Sequence, residues 1–492
     1  MKSFLASFPV TIFLLALALR LLFVLSTRYL GIGLDDMFQY DMLARSLAGG
    51  NGFRWYAPAD AARLAPYLAL DVESLGLDPR GIPTTFRAPL YPTFLAVIYV
   101  AFGAGEDRFL AARLVQAGLG GILAPLTYFA ALRLLEGPTR SHDSVQRIAR
   151  SAGVMVAAYP ILVLFPLGLA TENLFFPLVL ASMLALFALA RPDSLCPGAG
   201  ASPAPQTAVT VLAGVLLGLS ALTRSVIVPF ALAALLWIWL DLRRPRTAVL
   251  AALAFGCTIA PWVARNSALS GRLTGIETSM GYNLYLGYHP DSTGTFIFGP
   301  SLDLLSILDD QVRDEVGIQG ALAFMRDDPA RFPYLALRRL GHFFDLEWRA
   351  FTYFYSNGLL GPLAAPVVFL VLGALGVPFA FMAASALFGA TTLRRGPQTT
   401  LLVLLFAAYL VPHILILSEE RFHLALVPFL AILAAAAWAK RGADPSAQPL
   451  SLWLAATGVA LLGLNWCAQL VRSWPTLVQL MGLSGYGLYL PY

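Results

Sequence analysis

Long apolar runs, separated by short polar connections, account for most of the chain. Runs of about 17 or more apolar residues are candidate spans, because about 20 helical residues cross the ~30 Å hydrocarbon core of a bilayer. The candidates lie at about residues 8–27, 109–134, 148–168, 173–191, 207–222, 225–242, 247–263, 361–391, 399–417, 422–439 and 450–471. This pattern predicts an all-α polytopic membrane protein with about eleven transmembrane helices.

The composition excludes a water-soluble fold. Charged residues make up only 12% of the 492 residues, whereas soluble domains carry about 25%. The formal net charge of +5 is modest and gives no reason to expect nucleic acid as a partner. The three cysteines lie far apart, so their spacing predicts neither a disulfide framework nor a metal site.

Arginine placement predicts the orientation in the membrane, because connections rich in Arg and Lys usually face the cytoplasm. These connections are 133–150, 243–246, 394–395 and 440–441. They agree with one another if the amino terminus is inside, the first run is a membrane anchor, and the short run 89–104 does not cross. That run opens with Pro89 and Pro92, which suits a re-entrant or interfacial helix. A crossing there would place the later arginine connections outside.

Two long polar segments, 28–88 and 264–358, then lie on the outer face. Loops of this length are uncommon unless they are functional, and both contain aromatic residues among their charges, so we expect them to be folded. Segment 192–206 is rich in Pro, Gly, Ala and Ser and predicts a flexible cytoplasmic linker. The predicted organisation is a catalytic transmembrane module at 1–300 that includes a first outer loop at 28–108, a second outer loop at 264–358, and carboxy-terminal transmembrane helices with an outer tail at 359–492.

Acidic residues next to the membrane are the first candidates for chemistry. Asp35 and Asp36 precede a segment of helical spacing, so capping of a surface helix is one interpretation. Adjacent carboxylates also raise each other's proton affinity, which suits a general base or a cation site. Glu172 occupies a very short outer turn between two apolar helices. A carboxylate this close to hydrocarbon is a functional candidate, and an exposed turn residue is the alternative.

Three arginines are predicted on the same outer face: Arg87, Arg224 and Arg265. Planar guanidinium groups suit bidentate phosphate binding, although snorkelling to lipid headgroups is an alternative. Arg421 follows Glu419 and Glu420 in the outer turn before the tenth span, where an internal Glu–Arg pair is expected. Acids and arginines at one membrane face indicate a substrate with both hydroxyls and an anionic phosphate, such as a lipid-linked sugar phosphate.

Several short motifs follow one another along residues 1–300, with a weaker echo near 418–430. They are Asp35-Asp36, Tyr40 with Ala44-Arg45-Ser46-Leu47, Arg87-Ala88-Pro89-Leu90-Tyr91-Pro92, Arg113-Leu114-Val115-Gln116, Thr171-Glu172, Gly218 to Arg224, Pro261-Trp262 to Arg265-Asn266, and Gly281-Tyr282-Asn283-Leu284-Tyr285-Leu286-Gly287. Their order resembles that of the GT-C-type membrane glycosyltransferases that use polyprenyl-phosphate sugars, namely the protein O-mannosyltransferases and the lipid A aminoarabinose transferase. Counted back from Tyr40, Asp36 takes the place of the family's first acid, Met37 replaces its second, and Asp35 is additional.

The resemblance implies an inverting glycosyltransferase that moves a hexosyl or pentosyl group from a polyprenyl-phosphate donor to a hydroxyl of a lipid, glycan or protein. The reaction would occur at the outer face of the bacterial cytoplasmic membrane, among membrane lipids. Asp36 would be the catalytic base, with Asp35 second and Glu172 orienting the acceptor or the sugar. Substrate-binding residues would be Arg87, Tyr40, Arg224, Arg265, Asn266, Tyr282, Asn283 and Arg421. No cofactor is expected; if a Mg²⁺ or Mn²⁺ ion were required, Asp35, Asp36 and Glu172 would hold it.

Other functions stay open on the sequence alone. A secondary transporter or lipid flippase would share the hydropathy and the outer acids, but it would place ionisable groups near the middle of the membrane. Almost every acid here falls in a connection instead. A lipid-linked oligosaccharide polymerase or ligase, which uses diphosphate donors, and a scaffold subunit with degenerate motifs are the remaining alternatives.

Overall fold

The computed structural model describes residues 7–68, 78–137, 140–191, 203–439 and 449–487. Most of the predicted linker at 192–206 lies outside the described residues, as do Cys196 and the basic pair at 440–441. The α-helices are α1 (Phe8–Ser26), α2 (Asp36–Ala48), α3 (Pro58–Leu68), α4 (Leu90–Phe102), α5 (Arg108–Leu135), α6 (His142–Ala157), α7 (Pro160–Leu164), α8 (Glu172–Ala190), α9 (Pro203–Thr223), α10 (Val228–Leu240), α11 (Pro245–Ser270), α12 (Met280–Tyr288), α13 (Phe298–Leu305), α14 (Asp310–Asp327), α15 (Arg331–Phe343), α16 (Arg349–Ser356), α17 (Ala365–Ala390), α18 (Pro397–Leu415), α19 (Val427–Ala439) and α20 (Pro449–Leu480). Short 3-10 turns lie at Phe165–Leu167, Ser225–Ile227, Glu420–Leu426 and Gly485–Gly487, and the strands are β1 (Arg54–Trp55) and β2 (Ile82–Pro83).

Within the described residues, nine helices are long and apolar enough to cross a membrane. They are α1, α5, α8, α9, α11, α17, α18, α20 and the stretch Glu420–Ala439 that includes α19. A bent pair, α6 followed by Pro160–Leu167, counts as a tenth, and the apolar stretch Ser225–Leu240 is shorter. These stretches coincide with the eleven predicted runs, so the all-α polytopic membrane fold is confirmed.

The bend after α6 follows from Pro160. Proline disfavours helical backbone at the preceding residue and cannot donate a hydrogen bond, and Tyr159 is extended with φ −64° and ψ 117°. The chain turns by 53° at this break. The carbonyl of Leu167 then accepts from Nε of Arg113 on α5 at 2.8 Å, and the amide of Gln116 donates to two neighbouring carbonyls. Motif residues at the start of α5 therefore hold the bent segment.

The run predicted not to cross the membrane forms α4. Its 13 residues span about 20 Å at 1.5 Å per residue, which is shorter than the ~30 Å hydrocarbon core. It packs against α2 through a shared core that includes Tyr40, Tyr91 and Leu95, with the two tyrosine ring centroids 5.2 Å apart. This packing fixes the position of α2. Helix α10 has the same length and belongs to a predicted span, so the absence of a crossing at α4 stays a prediction.

The two long polar segments are folded and joined to each other. The strand β1 pairs antiparallel with β2. Just after β2, the hydroxyl of Thr84 and the backbone N–H of Thr85 both donate to Oδ2 of Asp310 on α14, each at 2.6 Å. Asp310 is also paired with Arg313. These contacts make one layer from segments that are far apart in the chain.

Candidate active site

The first site residues stand at the start of α2. Asp35 is the N-cap, and its Oδ1 accepts a hydrogen bond from the backbone N–H of Met37 at 2.9 Å. Asp36 is the first residue of the helix and turns its carboxylate toward two arginines. It is ion-paired with Arg87, and its Oδ2 lies 3.5 Å from Nη2 of Arg421. The adjacent aspartates therefore differ: Asp35 caps a helix, and Asp36 faces cations.

Contacts with α2 orient Arg87. Its Nε and Nη2 donate to Oε1 of Gln39 at 2.9 and 2.6 Å, and Gln39 lies about one helical turn after Asp36. The guanidinium carbon is 5.4 Å from the ring centroid of Tyr40 and 4.9 Å from that of Phe86. A guanidinium that stacks on rings and donates in its own plane has a defined orientation. Here that orientation directs Nη2 of Arg87 toward the carboxylate of Asp36.

Glu172 is the first residue of α8 and is only 2% exposed. It is ion-paired with Arg224, and the hydroxyl of Thr171 donates to its Oε2 at 3.0 Å. Arg224 lies between α9 and the next 3-10 turn, where its backbone is extended with φ −149° and ψ 116°. The break in the helix lets the Arg224 side chain reach α8. The alternative of an exposed turn glutamate does not fit this burial.

Arg421 joins the two halves of the site. Its Nη2 lies 3.5 Å from Asp36, and its Nε lies 4.0 Å from Oε1 of Glu172. The same Nε is 2.7 Å from Oε2 of Glu419, so the expected internal Glu–Arg pair is present. The guanidinium nevertheless reaches acids from two other parts of the chain. These acids and arginines together form the acid–arginine cluster, which consists of Asp36, Arg87, Glu172, Arg224, Glu419 and Arg421.

Glu419 links the cluster to the second outer segment. Its Oε1 lies 3.1 Å from Nη1 of Arg349, the first residue of α16. The same nitrogen donates to the hydroxyl of Thr295 at 3.1 Å, and the backbone N–H of Arg349 donates to Glu420. Glu419 is 4% exposed. One buried carboxylate therefore anchors two arginines from different segments.

The charges of the cluster shift the pKa values of nearby groups. Partial desolvation favours the protonated form of Asp36, but the arginines of the cluster, Arg87 foremost, outweigh it and lower the pKa of Asp36 below its ordinary value. Partial desolvation and the adjacent Asp36 charge raise the pKa of Asp35. Burial raises the pKa of Tyr40 to about 12, so its hydroxyl stays protonated at neutral pH.

Two predicted substrate-binding residues, Arg265 and Asn266, lie outside the cluster. Arg265 donates to the backbone carbonyls of Thr84 and Phe53 at 2.5 and 3.2 Å. Asn266 is fully buried and donates to two carbonyls of the loop after α11, at 3.0 and 2.9 Å. The structure does not bring Arg265 to the acids as the sequence predicts, because carbonyls of the first outer segment occupy its guanidinium.

Tyr282 lies beside the cluster on α12. Its ring meets that of Phe86 edge-on, with centroids 5.4 Å apart, and Phe86 in turn contacts the guanidinium of Arg87. Burial and the nearby charge of Asp36 raise the pKa of Tyr282. Asn283 follows on the same helix and is half-buried; its binding role stays a prediction.

Sequence reasoning missed three residues that shape the site. Gln39 stands three residues after Asp36, and this spacing places the two side chains next to each other on one face of a helix. Glu277 accepts a hydrogen bond from the hydroxyl of Ser225, next to Arg224, and no motif marks it. Arg349 also lies in no motif, and only the tertiary structure brings it to Glu419.

The proposed cation ligands Asp35, Asp36 and Glu172 do not fit an ion in this arrangement. Across the part of the chain that the structure describes, no group of three or more His, Cys, Asp or Glu side chains is placed to hold a metal ion. Asp35 caps a helix, and the other two carboxylates face arginines, whose charge opposes a cation.

No protein-family model matches the chain, and no curated protein matches it. Solved structures of two proteins are similar to it. AglB, the oligosaccharyltransferase from Archaeoglobus fulgidus in complex with an inhibitory peptide and a dolichol-phosphate, is 16% identical with a TM-score of 0.48, over 99% of this chain and 56% of that chain. ArnT from Cupriavidus metallidurans bound to undecaprenyl phosphate is 16% identical with a TM-score of 0.40, over 88% of this chain and 77% of that chain. The chain therefore spans little more than half the length of the oligosaccharyltransferase.

Proposed function

We propose that the chain is an inverting glycosyltransferase that moves a sugar from a polyprenyl-phosphate donor to a hydroxyl acceptor at the outer face of the membrane. The observation that carries the proposal is the position of Arg421 between Asp36 and Glu172. Carboxylates that could take a proton and guanidiniums that could hold a phosphate share one site, although they come from distant parts of the chain. The order of the sequence motifs supports the same function.

The arginines of the cluster would receive the donor phosphate. When the sugar departs, the polyprenyl phosphate gains negative charge, and fixed cationic donors in a site with little water stabilise such charge strongly. The side chains of Arg87, Arg224 and Arg421 are 17%, 19% and 37% exposed. They can exchange a carboxylate partner for phosphate oxygens while most of the side chain stays buried.

A phosphate among these arginines would also change the basicity of Asp36. While Asp36 is paired with Arg87 and Arg421, it is a weak base, because the cations stabilise its ionised form. A phosphate that takes over the guanidiniums adds negative charge beside Asp36 and removes that stabilisation. Donor binding would therefore strengthen Asp36 as the base that takes the proton from the acceptor hydroxyl.

The transfer itself is then a single displacement. The acceptor oxygen attacks the anomeric carbon from the face opposite the phosphate while Asp36 takes its proton. The bond from the anomeric carbon to the phosphate oxygen breaks, and the configuration inverts. General-base assistance of this kind contributes about 10²–10⁴-fold. Glu172 would hydrogen-bond the sugar or orient the acceptor.

The location of the cluster favours a transferase over a transporter or flippase. A transporter places its ionisable groups near the middle of the membrane. Here Glu172 begins α8, Arg224 directly follows α9, and Arg421 lies in the turn after α18. The cluster therefore stands at the ends of spans, where a lipid-linked donor can meet a hydroxyl acceptor.

The direct test uses purified protein, a labelled polyprenyl-phosphate sugar and an acceptor extract. The wild type is expected to release sugar-free polyprenyl phosphate, and Asp36→Asn to slow that release by about 10²–10⁴-fold while a cooperative thermal transition shows that the variant is folded. Asp107→Asn is the matched control, because it makes the same chemical change at an exposed residue, and it should keep wild-type turnover. Full activity of Asp36→Asn would refute its role as the base, and lipid translocation without sugar transfer would favour the flippase.

A further inference from the structure

Helix α15 exposes an apolar stripe. Its inward side carries Leu335, Arg339 and Phe343, which are 1%, 0% and 0% exposed. On the opposite side, Tyr334 and Leu337 are 52% and 69% exposed. On a surface helix of a soluble protein, the side that faces away from the core carries polar and charged residues. The exposed stripe of α15 therefore calls for an apolar environment.

The buried Arg339 fixes α15 at the end of a membrane-crossing helix. Its guanidinium donates to the carbonyls of Leu415 and Ile414 at 2.9 and 3.2 Å and to that of Gly287 at 2.6 Å. The last carbonyls of a helix lack partners within it, and Arg339 satisfies those of α18. Leu415 is 42% exposed and Val411, one turn earlier, is 49% exposed. Exposed apolar side chains thus lie on both of the helices that Arg339 joins, α15 and α18.

A basic side chain borders the stripe on one flank. Arg331 and Arg338 are seven residues apart, close to two helical turns, so they lie on the same side of α15. Arg331 donates to the carbonyl of Ser292 at 2.6 Å, so Arg338 is the basic side chain that borders the stripe. The guanidinium carbon of Arg338 is 5.9 Å from the ring centroid of Tyr334. Tyrosine and arginine are both enriched at the level of lipid headgroups, and an apolar face with a basic flank is typical of a helix that lies in the membrane interface.

We propose that α15 is an interfacial helix that binds the lipid surface on the same side of the membrane as the acid–arginine cluster. Tyr334 and Leu337 insert among the acyl chains, and Arg338 lies at the level of the phosphates. The helix sets the height of the second outer segment above the hydrocarbon. That segment continues from α15 to Arg349, which contacts Glu419 of the cluster.

The test measures the depth of a nitroxide label at Leu337→Cys, with the three native cysteines replaced by serine and the protein in vesicles of phosphatidylcholine and phosphatidylglycerol. Power-saturation spectroscopy compares collisions with oxygen, which concentrates in lipid, and with a water-soluble nickel chelate. The reference position is Glu315→Cys on α14, whose side chain is 58% exposed. We expect the oxygen-to-nickel ratio to be several-fold higher at 337 than at 315.

Equal ratios at the two positions would place α15 in water and overturn the proposal. A label at 337 that is shielded from both oxygen and nickel would also overturn it, because a protein partner or a second copy would then cover the stripe. Tyr334→Cys is a second position on the same stripe and guards against a local disturbance at 337. The measurement does not use sugar transfer, so its outcome is independent of the proposed function.

Discussion

Two sets of buried or partly buried arginines in this molecule differ in what their guanidiniums meet. The first set faces carboxylates and consists of Arg87, Arg224 and Arg421. The second set faces backbone carbonyls and consists of Arg113, Arg265 and Arg339. A carboxylate side chain can rotate away and leave its arginine to a phosphate, whereas a backbone carbonyl is fixed in the chain. The first set is therefore suited to exchange partners with a substrate, and the second set fastens segments.

The second set also positions the first. Arg113 donates to the carbonyls of Leu30 and Gly31 at 2.5 and 2.8 Å, just before the helix that begins at Asp36. It also donates to Leu167, a few residues before Glu172. One carbonyl-facing arginine thus holds the approaches to two of the three acids of the cluster, Asp36 and Glu172. Burial and motif membership are therefore shared by both sets of arginines, and the two sets differ in the acceptors of their guanidiniums.

Among the arginines, the largest expected effect is the loss of one that faces carboxylates. Arg421→Ala should lower turnover by about 10²–10³-fold, as expected when one preorganised donor to a developing charge is removed. Thermal unfolding should change little, and Arg421→Lys, which keeps the charge, should be intermediate. The release assay with labelled donor measures the turnover of both variants. Arg326→Ala, at an exposed residue, is the control. A clearly lower unfolding temperature with unchanged turnover would instead place Arg421 in the second set.

A smaller effect is expected at Glu419, which contacts Arg421 and Arg349 but is placed behind them. Glu419→Gln keeps the shape and removes the charge. The loss of an ion-pair contact, on the order of 1 kcal/mol, corresponds to about fivefold in rate. We expect the KM for the donor to rise while the KM for the acceptor and the unfolding temperature stay unchanged, and Glu315→Gln to have no effect. A fall in the unfolding temperature without a change in the donor KM would make Glu419 purely structural.

The pH dependence sharpens the role of Asp36. Its lowered pKa means that the acid limb of kcat/KM, which reports the free enzyme, should lie below the ordinary aspartate value of about 3.9. Arg87→Gln removes a stabilising cation, so the limb should move to higher pH. In the wild type, the acid limb of the kcat profile, which reports the donor complex, should lie at higher pH than the acid limb of the kcat/KM profile. Coincident limbs would contradict the idea that the donor strengthens the base.

The same shift has a consequence for stability with a definite sign. A folded pKa that is lower than the unfolded one means that ionised Asp36 stabilises the fold above its unfolded pKa, and that this contribution is lost as the pH falls through the folded value. In Arg87→Gln the folded pKa of Asp36 lies closer to its unfolded pKa, so the stability lost on acidification should be smaller and the loss should be complete at higher pH. Thermal unfolding between pH 3 and pH 5, roughly the range around the ordinary aspartate pKa, measures this.

The smallest effect on turnover is expected for a carbonyl-facing arginine. Arg265→Met removes the side-chain donor to the carbonyl of Thr84, whereas the carbonyl of Phe53 keeps the backbone N–H of Thr84 at 3.3 Å. An unsatisfied buried polar group costs about 1–3 kcal/mol. The free energy of unfolding should fall by about that amount, while turnover per folded molecule stays unchanged. Arg272→Met, at a half-exposed side chain, should change the free energy of unfolding by no more than about 0.5 kcal/mol. A stable Arg265→Met protein that has lost its activity would place Arg265 in the first set after all.

Hydropathy was sufficient to predict the spans, because the length and apolarity of a transmembrane helix are local properties of the chain. Asp36, Glu172 and Arg224 could be proposed because each stands at the end of an apolar or helical segment. Arg265 shows the limit: it shares a residue type and a predicted face with Arg224, but Thr84 and Phe53, which are far away in the sequence, determine its partners. Arg349 had no local signal at all.

Asp36 and Glu172 also share a backbone feature, since each is the first residue of its helix, α2 and α8. The aligned peptide dipoles of a helix place about half a positive charge at its start, which favours a nearby negative group by about 0.3–1 kcal/mol. Part of the attraction for negative charge is therefore built into the main chain and cannot be removed by side-chain substitution. A variant that lacks one arginine would still offer two helix starts to a negatively charged group, which is why the expected defects are large but not absolute.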